Sequence, residues 1–296
     1  MEKISAIIVT HNPDISLLAE TVKSLCLQLV DTIIIDNCSK NQSDLTQLDS
    51  YCQIHFLSAN MGIAFAQNEG IEIALKNDSE GIIFLDQDSL VCQTMVRKLA
   101  LSFDKLSKIC NLAGIGPIHK DRRKKFFYPL IKINRFGIVK KLAPEKMTNP
   151  TQIDLIISSG SLISVQALRK VGLMNETLFI DYVDTEWCLR AKGLHYKFYV
   201  DPAVVLEHEI GESILKIWRW HVPVHSPNRR YYRLRNGFYL LRFSHFPVLL
   251  CLKEIIQNLA HQILLILVSG RRVDYLKHGS RGVRDGIYLY FRESKS

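Results

Sequence analysis

Ile82-Ile83-Phe84-Leu85-Asp86-Gln87-Asp88-Ser89 reads as a buried strand that ends in acid: four apolar residues, two carboxylates two positions apart, then a turn former. A continuous apolar run without alternation is what a strand covered on both faces requires, as in parallel sheets. Earlier runs repeat the pattern at residues 4–10, 32–35 and 54–57. Polar or turn-forming residues follow each of them: Thr10-His11-Asn12-Pro13, Asp36-Asn37-Cys38-Ser39 and Ser58-Ala59-Asn60-Met61-Gly62. Between the runs, apolar residues recur at helical spacing, as in Leu17, Leu18, Val22 and Leu25, or Ile63, Ala66, Gly70, Ile73 and Ala74. This alternation predicts an α/β fold, a Rossmann-like, mostly parallel sheet flanked by helices. Ligands of such sheets bind beyond the carboxyl ends of the strands, so the four polar clusters are expected on one rim.

Further along, regularity loosens over residues 112–163, where the basic, aromatic stretch 120–128 reads as a surface excursion between two short strands. A strand is expected at 153–157, helices from about Val165 and Asp184, and two strands at 196–200 and 204–206. The chain has 296 residues, 47% hydrophobic and 23% charged, which is globular composition and excludes disorder, collagen-like repeats and a disulfide scaffold. Seven cysteines with no C-x-x-C pair or zinc-like spacing fit a reducing cytosol. Met1-Glu2-Lys3 runs straight into the first apolar stretch, so the start is read as a strand and not a leader. The longest apolar run near the C-terminus, residues 263–268, is six residues long against the roughly 20 a bilayer needs, so no classical transmembrane span is expected.

Asp86 and Asp88, two apart on an extended chain, point to one side, and hard divalent ions take one or two carboxylates plus phosphate oxygens. The other reading is that Asp and Ser form a turn and cap a helix starting near Gln93. Spacing alone leaves both open.

At this point the sequence resembles the inverting family 2 glycosyltransferases of the GT-A fold, and among them the rhamnosyltransferases of bacterial O-antigen and capsule synthesis. The resemblance covers roughly residues 4–240 and rests on motifs in order: Ile7-Ile8-Val9-Thr10-His11-Asn12, Ile35-Asp36-Asn37-Cys38-Ser39, Asn60-Met61-Gly62 with Asn68-Glu69-Gly70, and Phe84-Leu85-Asp86-Gln87-Asp88. Ser159-Gly160-Ser161, Phe179-Ile180-Asp181-Tyr182-Val183-Asp184-Thr185-Glu186-Trp187-Cys188-Leu189-Arg190 and His208-Glu209-Ile210-Gly211-Glu212-Ser213 complete the series.

The resemblance implies a role for each position. Thr10, Asn12 and Asp36 hold the base and ribose of a nucleotide-sugar donor, with Asn60, Gly62 and Asn68 completing the nucleotide wall. Asp86 and Asp88 match the family's D-x-D motif, which looks to a divalent metal, Mg²⁺ or Mn²⁺, and to the donor diphosphate; His208 matches a histidine near both. Asp184 aligns with the carboxylate that deprotonates the acceptor hydroxyl. The first acid of the family's Glu-Asp pair is here Val183, a departure that leaves an inactive GT-A-fold protein as one alternative; Asp181 and Glu186 keep the neighbourhood acidic. Ser159, Gly160, Asp181, Glu186 and Trp187 belong to the acceptor side. The expected donor is dTDP-L-rhamnose and the acceptor a lipid-linked or polysaccharide glycan. Residues 229–236 resemble the family's C-terminal segment, as phosphate-neutralising arginines or a solvated face.

A dinucleotide-dependent oxidoreductase needs G-x-G-x-x-G after the first strand, and Thr10-His11-Asn12-Pro13 has no glycine. A nucleic-acid-binding module is the rival from another class, because basic and aromatic residues interleave at 120–128 and 229–239. It leaves the acidic pairs at 86/88 and 181/184 unexplained.

The formal charge of +9 is unevenly placed. Residues 214–296 hold 15 Lys+Arg against 4 Asp+Glu, leaving 23 against 25 for residues 1–213. The expected division is a GT-A catalytic domain at 1–213, with a nucleotide-sugar half to about 110 and an acceptor half from about 111, and a basic helical extension at 214–296. Lys253, Glu254, Gln257, Asn258, His261 and Gln262 recur at steps of about four, predicting an amphipathic helix within residues 246–268. Basic flanks and an apolar face suit peripheral attachment to the anionic inner face of the plasma membrane. A helix packed on the catalytic domain or on a homodimer partner is the alternative.

Overall fold

The computed structural model describes residues 1–121, 126–208, 213–217 and 220–292, with side chains described outside 208, 213–217 and 220–223. Two compact units form. The first comprises Met1–Lys132, Lys140–Phe179 and Val183–Glu209; the second comprises Ile133–Val139, Ile180–Tyr182 and Ile210–Ser296.

In the first unit, the predicted alternation appears as β1 (Ile4–Thr10), α1 (Ile15–Leu27), β2 (Asp31–Asp36), a short α2 (Gln42–Leu45), β3 (Gln53–Phe56), α3 (Ile63–Lys76), β4 (Gly81–Asp86) and α4 (Met95–Ser107). α1 begins where Asp14 accepts hydrogen bonds from the Ser16 and Leu17 amides at 2.9 and 3.3 Å, which satisfies two otherwise orphaned donors. The remaining strands are β5 (Leu112–Asp121), β6 (Leu130–Ile133), β7 (Val139–Leu142), β8 (Thr151–Ile153), β9 (Leu162–Ser164) and β10 (Lys197–His208); α5 (Val165–Val171) and α6 (Val183–Gly193) lie between β9 and β10 in sequence.

The eight-stranded sheet runs β3-β2-β1-β4-β9-β5-β10-β8. β3, β2, β1 and β4 are parallel neighbours, as are β5 and β10, whereas β9 and β8 pair antiparallel. Ile7, Ile8, Ile33, Ile34, Ile35, Ile82 and Ile83 are buried, as continuous apolar runs require. A Cβ on Gly70 would fall 2.5 Å from Ile7 Cγ2, so glycine lets α3 lie close against β1.

Three expectations change. The two strands expected at 196–200 and 204–206 are one, β10, with a register shift between Asp201 and Val205. Pro202 cannot donate to a ladder there, and Asp201 Oδ1 accepts the Ala203 amide at 2.9 Å across the irregularity. β5 has ten residues where the sequence shows a loosened pattern, because Gly114, Gly116 and Pro117 interrupt its apolar run. The strand expected at 153–157 is displaced to β8, on the sheet edge.

The second unit contains the hairpin β11 (Ser213–Ile217) and β12 (Trp220–Val224), then α7 (Pro227–Tyr239), α8 (Val248–Val268) and α9 (Arg272–Phe291). α7 and α9 approach closely: a Cβ on Gly282 or Gly286 would sit 2.6 Å from the backbone oxygen of Tyr231 or Arg235. α8 buries Leu250, Cys251, Ile255 and Leu265 but departs from an ordinary amphipathic helix in two respects. Its Asn258 and Gln262 are buried and accept from Arg230, itself fully buried, at 3.1 and 2.9 Å. Leu249, Leu252, Ile256, Ile263 and Leu267 are exposed. α8 is also long and apolar enough to cross a membrane, by length and composition only, with a mean hydropathy of 1.4. The longest uninterrupted run understates this helix because scattered polar residues shorten the runs without lowering the average much.

Burial, with Arg229 and Arg233 nearby, lowers the His225 imidazole to about 4 from an ordinary 6.5. The folded state therefore binds this proton less readily than the unfolded chain, so the group's contribution is intact above pH 6.5 and lost as pH falls toward 4. Urea unfolding should show wild-type stability declining more steeply between pH 6.5 and 4.5 than that of His225→Gln; parallel declines would exclude the imidazole as the cause.

Candidate active site

The ends of β1, β2 and β4 meet because β1 lies between the other two with Thr10 opposite Asp36 and Val9 opposite Asp86. Asp36 is completely buried, and three side chains converge on its carboxylate. Thr10 Oγ1 donates to Oδ1 at 2.9 Å, the Ser39 hydroxyl donates to the same oxygen, and Gln42 Nε2 donates to Oδ2 at 2.8 Å. Asn12, with φ of 52°, accepts the Lys40 amide at 2.8 Å, so the loops after β1 and β2 form one piece. Asn37 extends it, accepting the Met61 amide at 2.8 Å and thereby holding the Asn60–Gly62 turn. Gly62, with φ of 88°, lies so close to Phe179 that a Cβ would sit 2.6 Å from that residue's ring and carbonyl oxygen.

Asp86 and Asp88 are half-buried at the end of β4. Ser159 Oγ pins their turn, accepting the Asp86 amide at 3.2 Å and sharing a 2.6 Å hydrogen bond with Ser89 Oγ. His119 Nε2 donates to the Ser159 carbonyl at 2.8 Å, and Gln87 Oε1 accepts the His11 amide at 2.7 Å, joining this turn to the one after β1. Leu90 bridges Glu207, next to His208 at the end of β10. The His208 side chain and residues 209–212 of its motif lie outside the described residues, as do 122–125 of the basic excursion.

Asp184 lies in the first turn of α6, where its Oδ1 accepts the Thr185 amide at 2.7 Å. It lines a small pocket with Gln67, Phe84, Ser158, Ser161 and Trp187. Cys188 lines the same pocket, and burial pushes its thiol well above the ordinary value, the mark of a poorly solvated surrounding.

Several expected residues are occupied elsewhere. Asn68 is buried and exchanges hydrogen bonds with the Met174 backbone while donating to Glu176 Oε1, so it fastens α3 to the 174–176 loop. Ser159 and Gly160 are buried, Ser159 supporting the Asp86 turn and the Gly160 amide donating to the Phe84 carbonyl at 2.7 Å. Glu186, 1% exposed, forms a fork with Arg190 at 2.9 and 3.1 Å, and that guanidinium also donates to the Val171 and Leu173 carbonyls. Trp187 lends a face to the pocket while its Nε1 donates to the Gly172 carbonyl at 2.8 Å. Asp181, in the second unit, is paired with Arg229 at 3.1 Å and Arg233 at 3.5 Å. The arginines of 229–236 are thus neither a solvated face nor an open phosphate site, and the basic run that favours nucleic acid is spent inside its own unit. Ser39, Gln42, Asn37, Ser89 and His119 were missed as supporting residues; only their place beside the strand ends marks them in sequence.

Among the described residues no group of three or more His, Cys, Asp or Glu forms a metal cage. Two half-buried carboxylates on a pinned turn nevertheless fit Mg²⁺ or Mn²⁺, which fill their coordination from substrate phosphates and water.

Residues 5–172 match the model of glycosyl transferase family 2, and the chain belongs to that family. It is a glycosyltransferase. It is 36% identical over 289 residues, 96% of this chain and 95% of the relative, to the dTDP-rhamnosyl transferase RfbF of Shigella flexneri. It is also 25% identical over 204 residues, 65% of this chain and 62% of the relative, to the low-salt glycan biosynthesis hexosyltransferase Agl10 of Haloferax volcanii. In fold it resembles S. aureus TarS 1–349 in complex with UDP-GlcNAc, with a TM-score of 0.58, 14% identity and coverage of 97% of this chain and 81% of that one. GalNAc-T7 with UDP, GalNAc and Mn²⁺ gives a TM-score of 0.56 at 15% identity over 80% of this chain, which spans half the length of that structure.

Ser159→Ala removes the acceptor of the Asp86 amide and the partner of Ser89 in a buried setting, at a cost of about 1–3 kcal/mol. Steady-state kinetics should show a raised donor KM together with a lowered thermal midpoint; unchanged values for both would mean the turn holds without this hydroxyl.

Proposed function

We propose that this protein transfers L-rhamnose from dTDP-L-rhamnose to a hydroxyl of a lipid-linked or polysaccharide acceptor in surface polysaccharide synthesis, inverting the anomeric carbon. The near-full-length likeness to a dTDP-rhamnosyl transferase carries this reading. Residues 1–213 serve as the catalytic part and 214–296 as its extension.

The chemistry follows from the residue types on the rim. Thr10, Asn12 and Asp36, with Asn60 and Gly62, build the wall that receives the base and ribose, Thr10 and Asp36 as its buried, mutually bonded support. Asp184 accepts the proton of the acceptor hydroxyl. The freed oxygen pair forms the new bond to the anomeric carbon while the opposite bond breaks and its electrons leave on the nucleotide diphosphate, which is why configuration inverts. Asp86 and Asp88, with His208, are the residues that would hold a divalent cation, which would supply Lewis-acid neutralisation of the departing charge.

The enzyme works in the cytoplasm at the inner face of the plasma membrane. Support comes from the exposed apolar stripe Leu249, Leu252, Ile256, Ile263 and Leu267, beside exposed Arg271, Arg272 and Lys277. Basic residues near an anionic surface contribute roughly 1 kcal/mol each. A peripheral position keeps Asn258 and Gln262 on Arg230, which a spanning helix would carry into lipid.

A panel of nucleotide sugars should give transfer with dTDP-L-rhamnose, abolished by EDTA and restored by Mg²⁺ or Mn²⁺. Turnover with another donor alone would overturn the sugar assignment, and full activity in excess EDTA the metal role. Asp184→Asn should bind donor nearly normally and lose turnover; an active variant would remove Asp184 as the base. The pair Ile256→Glu and Ile263→Glu, both on exposed positions, should abolish co-sedimentation with vesicles containing phosphatidylglycerol, and undiminished sedimentation would count against the membrane face.

A further inference from the structure

The carboxylate at the end of β2 is fully engaged. Thr10 Oγ1 and the Ser39 hydroxyl donate to Asp36 Oδ1, while the Ser39 amide at 2.9 Å and Gln42 Nε2 at 2.8 Å donate to Oδ2. An ionised carboxylate has about four acceptor positions, and these donors fill them. Thr10 and Asp36 have no exposure at all, and Ser39 is buried. Of the residues bonded to this carboxylate only Gln42, half-buried, reaches the surface. A ligand arriving at this point of the rim meets Gln42 before it meets the acid.

Two constraints fix what Gln42 presents. Its carboxamide cannot be reversed, because a carboxylate only accepts: Nε2 must face Asp36, and Oε1 must face away. Among the described residues nothing donates to Oε1. The chain that carries Gln42 is tied at both preceding residues, the Lys40 amide donating to Asn12 Oδ1 at 2.8 Å and Asn41 Nδ2 to the Pro13 carbonyl at 3.1 Å. The side chain therefore offers an acceptor, Oε1, beside the second hydrogen of Nε2, in one set order.

We propose that Gln42 reads the base of the donor nucleotide and selects an imide edge: Oε1 accepts the N3–H of thymine while the remaining Nε2 hydrogen donates to the neighbouring ring carbonyl. This rests on the reading of the rim as the base site for a dTDP-sugar. Cytosine carries the reverse order, a bare N3 beside an amino group, so Oε1 and Nε2 would have to trade places to match it. The bond to Asp36 forbids that exchange, and Asp36 is in this respect a positioning residue for the amide. A site built to hydrogen-bond one edge rejects a base that lacks it, because its own polar groups are then left unpaired. Uracil shares the thymine edge, so Gln42 does not separate those two.

Isothermal titration of the full-length protein with dTDP, N3-methyl-dTDP and 5-methyl-dCDP, each with Mg²⁺ present, tests this. Wild type should bind dTDP about 10- to 100-fold more tightly than either analogue. Gln42→Met, similar in length but without the amide, should bind dTDP more weakly and separate the three nucleotides by no more than about twofold. Each comparison is a ratio within one protein, so a lowered thermal midpoint in the variant does not imitate it. Equal wild-type affinity for dTDP and N3-methyl-dTDP overturns the proposal without any variant, and decides the matter even if Gln42→Met does not fold. Undiminished discrimination in folded Gln42→Met overturns it as well, by showing that another group, such as Asp36 once the amide is displaced, takes the N3–H. A wild type that ignores dTDP but binds another nucleoside diphosphate overturns the donor reading itself.

Discussion

The register of β1 between β2 and β4 is the constraint on which the rest depends. Because Thr10 lies opposite Asp36 and Val9 opposite Asp86, three strands release their polar residues at one height. Side chains alternate between faces along a strand, so a slip of one residue would send each to the other face. The acids that end β2 and β4 resist that slip, because it would draw a carboxylate toward the apolar core. The buried carboxylate of Asp36 and the acidic turn are therefore consequences of core packing as much as of their own chemistry.

Once strands end together, the polar residues hold one another. Asp36 gathers Thr10, Ser39 and Gln42, and Ser159 gathers Asp86, Ser89 and, through its carbonyl, His119. Such interlocked groups are costly to leave unpaired and so define one arrangement of the rim. The acidic cluster anticipated around Asp184 is organised differently: Asp181 and Glu186 each spend their charge on arginines, which separates them chemically from the residue between them.

The second unit solves the opposite problem. A guanidinium without exposure must be surrounded by acceptors, and α8 supplies Asn258 and Gln262 to Arg230. Turning those residues inward leaves much of the apolar side of α8 outward, and the glycines of α9 allow α7 to approach at backbone distance. Its cationic surplus is thus divided between an interior framework and an exposed fringe.

The sequence by itself determined the α/β class, the four parallel strands and the polar clusters that end them, because burial on both faces imposes a local, readable pattern and strand ends are marked by the residues that follow. It also identified the family through motifs that stay contiguous. It could not show which buried partners Asn68, Ser159 and Glu186 bond, since a polar residue looks the same in sequence whether it faces ligand or a buried partner. Nor could it join the two halves of β10 across Pro202, or tell which face of α8 is inside. Those outcomes depend on partners far apart in the chain, Ser159 with Asp86 and Arg230 with Gln262, and only tertiary packing decides which polar groups find each other.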